Sequence, residues 1–399
     1  MDIINRLPDE LLLKILTFLP TKTAVSTSIL SKQWEFLWMW LPNLEYDELD
    51  VKSSVIIRFR DFIDKNLPLH RAPIIQTLIL SFQLSDLSQP ENIKRWVGTA
   101  VSRCVRELSI YLFCFDHKQP ADVSLPSGLY TCNSLTALTL YGKEILVDVP
   151  PTAYLPSLKT LLLECVTYLN EDSLRLLLSC CPVLEDLSIE GRSGENVGKI
   201  VVNIPSLQRL SLNVYGPASD GYVIVTPSLK YFKFDDCEEG FSYLAEHMPM
   251  LKEAYISVVH DTEKLLESIA SVKLLTLRPY ITSSAKFVYP AGMVFNQLEH
   301  LKVHIHSVNW SKLLVWLLRN SPKLRILNVY CDDFHSELDV YEPVKWDNEQ
   351  SSVPECLLRS LETLKFAGYR GREEERDFLS FLFKHACCLK STSVILHVS

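Results

Sequence analysis

The chain is 399 residues long, more than one ordinary hydrophobic core can organise, so it holds either several domains or one elongated repeat array. With 47% hydrophobic and 22% charged residues it has the composition of a folded soluble protein, and its net charge of −8 lacks the basic excess that nucleic-acid binding requires. No window reaches the roughly eighteen apolar residues of a membrane span, and the start MDIINRLPDE has no basic region leading into an apolar stretch, so neither a membrane partner nor a signal peptide is expected. The eleven cysteines are odd in number, scattered and never spaced CxxC; the pairs Cys180–Cys181 and Cys387–Cys388 sit in apolar helical stretches. Buried thiols in a reducing compartment, cytoplasm or nucleus, are the expectation, which leaves the Asn309-Trp310-Ser311 glycosylation pattern unused.

In chain order, residues 6–41 predict a small helical unit. Pro8 suits a first helical turn, Asp9 and Glu10 favour the positive end of the helix dipole, and Leu11, Leu12, Ile15, Leu16 and Leu19 share one face before Pro20 ends the segment. Thr21 is expected to cap a second short helix through Ile29, and Ser31 a third in which Trp34, Leu37, Trp38 and Leu41 repeat at helical spacing. A piece this small cannot bury so many large apolar groups internally, so some must face another surface.

The run LPDELLLKILTFLPTKTAVSTSILSKQW resembles the plant F-box motif in its LPDE start, its LPTK turn and its SK-x-W third helix. Gln33 departs from the arginine usual there and is expected to be exposed. The resemblance implies a three-helix unit that docks on a Skp-type adaptor and through it on a cullin scaffold. Carried over by position, the adaptor-facing set is Leu7, Pro8, Leu11, Ile15, Leu16, Leu19, Pro20, Leu30 and Trp34. Residues 42–73, with SSVIIRFRDFIDKNL inside them, predict an amphipathic helix that joins this unit to the first repeat strand in a fixed relation.

Beyond it the spacing L-x-x-L-x-L recurs, its first apolar position falling at 75, 105, 135, 158, 184, 207, 229, 251, 272, 298, 324 and 361, with a degenerate copy at 389. The intervals run from 21 to 37 residues, mostly in or near the leucine-rich-repeat range. Each hexad predicts a strand whose fourth and sixth residues enter a continuous core while the third, fifth and seventh point outward. Longer intervals carry return helices, as in EDSLRLLLSCC and WSKLLVWLLRN; shorter ones are expected to hold only loops or half-turns. The fold class is therefore α/β: a three-helix F-box over residues 1–45, an irregular leucine-rich-repeat solenoid with a curved parallel sheet over 46–345, and a C-terminal cap over 346–399. That last segment resembles the FBD segment of plant F-box proteins through W-x-x-E-x-S-V-P-x-C-L (346–357, with an extra Ser) and EEERDFLSFLFKHACCLK; it is expected to close the repeat array.

Little in the chain points to chemistry. Gly191, Gly194 and Gly198 have the wrong spacing for a phosphate cradle. His300, His304 and His306 share one strand face but have no nearby Cys or carboxylate to complete a tetrahedral zinc set. The doublets Asp235–Asp236 and Glu238–Glu239 read as solvated loop, and Glu373–Glu375 as a favourable first helical turn. No cofactor and no catalytic residue is expected.

The resemblance implies a non-catalytic adaptor whose F-box holds the ligase and whose solenoid holds a target protein. The alternative is a receptor for a small hormone-like molecule on the concave face, for which Arg278, Lys302, His300 and His304 are the candidates. Outward positions supply five tyrosines, Tyr111, Tyr141, Tyr231, Tyr255 and Tyr330, a residue enriched at interface hot spots. Early strands add Glu107, Glu164, Asp186 and Glu190, and late ones Arg278, Lys302 and Lys365, with Arg209, Lys233, Asp235 and Glu253 mixed between them. The sorting predicts a face that orients an extended target with its basic end toward the F-box.

Overall fold

Every L-x-x-L-x-L hexad of the chain is a strand, and each strand starts at the hexad's third residue. The computed structural model describes residues 3–48, 56–83, 90–114, 122–192, 199–215, 221–236, 243–258, 262–279, 292–305, 310–331, 346 and 353–397. They fall into two compact units, 1–197 and 198–399.

The first unit opens with α1 (Asp9–Leu16) and α2 (Thr21–Ser26), followed by 3-10 turns at Thr27–Ile29 and Leu37–Trp40. The third helix is thus not α-helical, although its spacing holds: Trp34, Leu37, Trp38 and Leu41 are all buried, with Leu12, Leu16 and Ala24. Neither predicted cap forms. The Thr21 hydroxyl instead accepts the Glu45 backbone N–H at 2.8 Å, and the buried Ser31 hydroxyl has no hydrogen-bond partner. Gln33 is half-buried rather than exposed; its amide nitrogen donates to the Leu7 carbonyl and to Asp9 Oδ1, both at 2.9 Å, tying the third segment to the start of the first.

The connecting segment contains more than a helix. Residues Asn43–Asp47 form β1, and α3 (Ile56–Asn66) comes after it. Leu41-Pro-Asn-Leu-Glu-Tyr46 is itself a hexad, with Tyr46 in the place of the sixth apolar residue, and Leu41, Leu44 and Tyr46 are buried like any other copy. The helical unit therefore runs directly into the sheet. His70 Nε2 pairs with the Leu41 carbonyl at 2.7 Å, and the Met39 carbonyl accepts the Arg71 and Ala72 N–H groups at 2.7 and 3.1 Å. Arg60 of α3 meets the buried carboxylate of Glu48 through two nitrogens at 2.9 and 3.1 Å, while Glu48 Oε2 also accepts the Gln83 N–H at 2.9 Å. Satisfying a buried charge on three sides is the condition under which such a pair is tolerable.

The rest of this unit comprises β2 (Thr77–Gln83), α4 (Pro90–Ser102), β3 (Glu107–Phe113), β4 (Val123–Ser124), β5 (Ala137–Tyr141), β6 (Ile145–Val147), β7 (Thr160–Glu164), β8 (Thr167–Tyr168), α5 (Asp172–Ser179) and β9 (Asp186–Arg192). The main strands pair in parallel in the order β1-β2-β3-β5-β7-β9, third residue to third residue: Asn43 with Thr77, Thr77 with Glu107, Glu107 with Ala137, Ala137 with Thr160, Thr160 with Asp186. The fourth and sixth side chains of each hexad are buried.

The second unit holds β10 (Ile200–Asn203), β11 (Arg209–Tyr215), β12 (Tyr222–Val225), β13 (Tyr231–Asp236), β14 (Tyr243–Ala245), β15 (Glu253–Val258), α6 (Thr262–Ser268), β16 (Leu274–Pro279), β17 (His300–Ile305), α7 (Trp310–Arg319), β18 (Ile326–Cys331), α8 (Glu355–Arg359), β19 (Thr363–Tyr369), α9 (Glu373–His385) and β20 (Ser391–Leu396). Its main parallel order is β11-β13-β15-β16-β17-β18-β19-β20, again third residue to third. Short return strands add a small parallel sheet in each unit, β4-β6-β8 and β10-β12-β14. The hexad spacing does not predict these, and the shortest interval, from 251 to 272, carries the helix α6 rather than a bare loop. A helix of two turns spans few ångströms, so it fits where residues are scarce.

The C-terminal segment is built on rings. Trp346 is buried against Phe378 and Phe381, with centroids 5.0 and 5.4 Å apart, and Trp310 and Phe366 pack on Phe378 from the other elements. Glu375 lies in the first turn of α9 as expected and also caps it: it is buried, and its Oε2 accepts the Arg370 and Arg372 N–H groups at 2.9 and 3.1 Å. β20 is the last strand of the main sheet, and all six of its residues are exposed, Val394, Ile395 and Leu396 among them. None of the described helices is long and apolar enough to cross a membrane.

Stacking identical hexads brings the residue after the seventh position against its counterpart one strand back. Gly142 occupies that place with φ +129°, and a Cβ there would collide with the Leu112 carbonyl; Gly292, with φ +76°, faces open space. Gly142→Ala should therefore cost on the order of 2–4 kcal/mol and Gly292→Ala about 1 kcal/mol, measured by denaturant unfolding. Equal losses would show that conformation rather than close stacking dominates at Gly142.

Candidate functional site

Two surfaces of the described residues stand out, one apolar and one polar and aromatic. Of the 21 exposed large apolar side chains, eight lie between residues 4 and 40: Ile4, Leu11, Ile15, Phe18, Ile29, Leu30, Phe36 and Trp40. Phe18 is 79% exposed and Ile29 88%. α1 explains the split. Its Leu12 and Leu16 turn inward to the chain's own core, and Leu11 and Ile15, one position earlier, turn outward. Leu30, Pro8 and Pro20 are also exposed, while Leu7 and Leu19 are half-buried. Leu16 and Trp34 are buried inside the unit, so these two of the nine sequence-predicted adaptor residues act by holding the fold. Ile4, Phe18, Ile29 and Trp40 are absent from the sequence-predicted set; helical spacing points to the inward face, and exposure is what identifies the outward one.

The outward positions of the hexads form a second kind of surface on each unit. Tyr111, Tyr141, Glu164, Asp186 and Glu190 in the first unit are all half-buried, as are Tyr231, Tyr255, Arg278, His300, Lys302, His304 and Tyr330 in the second. Register places Tyr111 beside Tyr141, Tyr141 beside Glu164, and Glu164 beside Glu190. Phe113 joins the two tyrosines, at centroid distances of 6.4 Å from Tyr111 and 4.9 Å from Tyr141. Burial first, and then the Glu190 carboxylate, hold Glu164 above the ordinary carboxylate range.

In the second unit the tyrosines carry cations. Arg209 lies 4.3 Å from the centre of the Tyr231 ring, Lys233 6.0 Å from that of Tyr255, and Lys365 5.2 Å from that of Tyr330. The first two are direct neighbours in register, so the sheet's own pairing supplies the contact. His304 stacks on Tyr330 at 4.8 Å and 13°, and His300 Nε2 pairs with Asn328 at 3.0 Å. Burial, then Lys302, push His300 below the ordinary histidine range. Among the described residues no group of three metal-ligating side chains converges. His306, Glu238, Glu239, Gly194, Gly198, Asn309 and most of the acidic insert lie outside the described residues. Two outward positions depart from expectation: Ser81 and Ser257, each seventh in its hexad, are buried, Ser257 with an unpaired hydroxyl.

The F-box domain profile matches residues 4–46, the profile described as FBD-associated F-box protein At5g56370, LRR repeats, matches 93–236, and the FBD profile matches 348–394. The chain is 54% identical to FBD-associated F-box protein At5g60610 of Arabidopsis thaliana over 99% of its own length and 100% of the relative's. It is 59% identical to putative FBD-associated F-box protein At5g56700 of the same plant, over 98% and 97%.

Glu164 yields a test of the electrostatics. The folded chain favours its protonated form, so ionisation opposes folding: the penalty is absent below the unfolded carboxylate range and grows as pH rises through the raised folded value. Glu164→Gln should raise the melting temperature near pH 7 by about 1–2 °C, with the difference fading below about pH 4. A pH-independent difference would mean that Glu164 carries no such penalty.

Proposed function

The chain belongs to the family of FBD-associated F-box proteins with leucine-rich repeats, and on that premise we propose that it is the substrate-recruiting subunit of a Skp-cullin-F-box ubiquitin ligase. The observation that carries the reading is the exposed apolar patch of residues 4–40. Its large side chains stand in water on a unit whose own core is already filled by Leu12, Leu16, Trp34, Leu37 and Trp38. Apolar surface concentrated in this way marks an interaction site, and a Skp-type adaptor is the partner that the F-box implies. The chain itself is non-catalytic in this reading and acts in cytoplasm or nucleus. Other subunits transfer ubiquitin, and this one holds a target protein against them, supplying proximity. The outward face of the hexad strands takes the target, with the acidic strands of the first unit meeting its basic segment.

Binding and folding should separate by mutation. Leu7→Ala/Pro8→Ala and Phe18→Ala should each weaken adaptor capture, by about 2–4 kcal/mol for a buried hot spot, and leave the thermal transition in place. Leu16→Ala should instead lower stability by about 2–5 kcal/mol. Titration calorimetry with the adaptor, paired with melting curves, reads both quantities. Full adaptor affinity in the Leu7/Pro8 double mutant and in Phe18→Ala would sink the assignment.

A further inference from the structure

At the C-terminal ends of β3, β5 and β7 the surface of the first unit falls into a recess of about 220 Å³. Leu112, Phe113, Tyr141, Gly142, Lys143 and Glu144 form most of its wall. Gly142, whose backbone stacks closely on the Leu112 carbonyl, belongs to that lining. One wall is aromatic, with Phe113 and Tyr141 at 4.9 Å and Tyr111 behind them at 6.4 and 6.2 Å. The ring partners of Tyr111 and Phe113 are other rings, in contrast to the cation-covered tyrosines of the second unit.

Glu144 brings a carboxylate to the same lining. Glu144 is only 3% exposed, and neither of its carboxylate oxygens has a hydrogen-bond partner. The counter-charge at hand is Lys143, whose Nζ stands 3.9 Å from Oε1, past hydrogen-bond length, at the end of a side chain 64% exposed. A buried carboxylate without hydrogen bonds is costly unless a donor reaches it. Glu164, beside Tyr141 in register, adds a second carboxylate near this lining. Aromatic faces beside unsatisfied carboxylates are complementary to a cation that carries several N–H donors.

We propose that this recess receives one basic side chain, arginine or lysine, from the target protein, lying against Phe113 and Tyr141 with its charge met by Glu144 and Glu164. The proposal rests on, and deepens, the reading of the chain as a target-binding subunit, because it names the residue type through which the first unit recognises its target. Guanidinium fits better than ammonium: it stacks flat on rings and presents a fork of donors to a carboxylate. Lys143 yields its place at Glu144 to the guest and turns into solvent, where most of its side chain already lies.

The test uses the full chain, with and without a Skp-type adaptor, and four fluorescent seven-residue glycine-serine peptides with a central arginine, citrulline, lysine or acetyl-lysine. Citrulline and acetyl-lysine keep the shape and remove the charge. The charged peptides should bind at least about tenfold more tightly than their neutral counterparts by fluorescence polarisation. Glu164→Gln and Glu144→Gln should each remove most of that preference, and Phe113→Leu should weaken arginine more than lysine. Glu164 is half-exposed and its glutamine variant keeps the shape, so a folding defect at Glu144 leaves the test intact. Equal binding of charged and neutral peptides, no binding of any, or a preference untouched by both glutamine variants overturns the proposal. Adaptor capture, read on the same preparations, keeps the two readings apart. Capture without peptide preference removes the recess alone, and preference without capture removes the ligase assignment alone.

Discussion

Register is the constraint on which the rest of this protein depends. A hexad hides its fourth and sixth side chains only if its neighbours present theirs at the same height, and a slip of one residue would turn the pair out to solvent. Within either unit the main strands therefore join third residue to third, from Asn43 with Thr77 to Thr363 with Ser391. The intervals between hexads vary freely because that rule places no demand on them. Helices, small strands and loops all serve as returns, and even the shortest interval accommodates α6.

The same rule explains why the N-terminal unit is more than an appendage. It is too small to bury its apolar residues alone, and it meets the sheet by becoming it: Leu41, Leu44 and Tyr46 are the inward residues of a first hexad. Hydrogen bonds at Leu41 and Met39, and the Glu48–Arg60 pair, hold α3 and its flanks on this junction. The unit is thus continuous with the strands that follow it rather than joined to them by a loose tether.

Along the outward face the two units solve the same problem differently. Side chains there are freed from packing, and neighbours in register decide what each ring touches. In the second unit arginine and lysine from adjacent strands cover Tyr231, Tyr255 and Tyr330. In the first, rings meet rings, carboxylates meet carboxylates, and Glu144 is buried without a donor. Groups that the fold itself leaves unsatisfied are where an outside partner gains most, since its contacts replace nothing of equal strength.

The hexad spacing, read from the chain alone, located thirteen strands and placed every outward candidate on the outward face of its own unit, because period-two alternation is a local property that survives any arrangement of the returns. It passed over β1, whose sixth residue is Tyr46, and it overstated the third helix, because the spacing of Trp34, Leu37, Trp38 and Leu41 specifies which side is buried and not how the backbone gets there. The order of elements, the inward pair and the F-box and FBD resemblances were thus determined by sequence. Tertiary structure alone decided that Leu16 looks inward while Leu11, Phe18 and Ile29 look out, that Gln33 fastens the first helix, and that a recess opens beside Gly142 and Glu144. Those facts depend on which surfaces meet across long stretches of chain, and no local pattern of residues encodes a meeting of that kind.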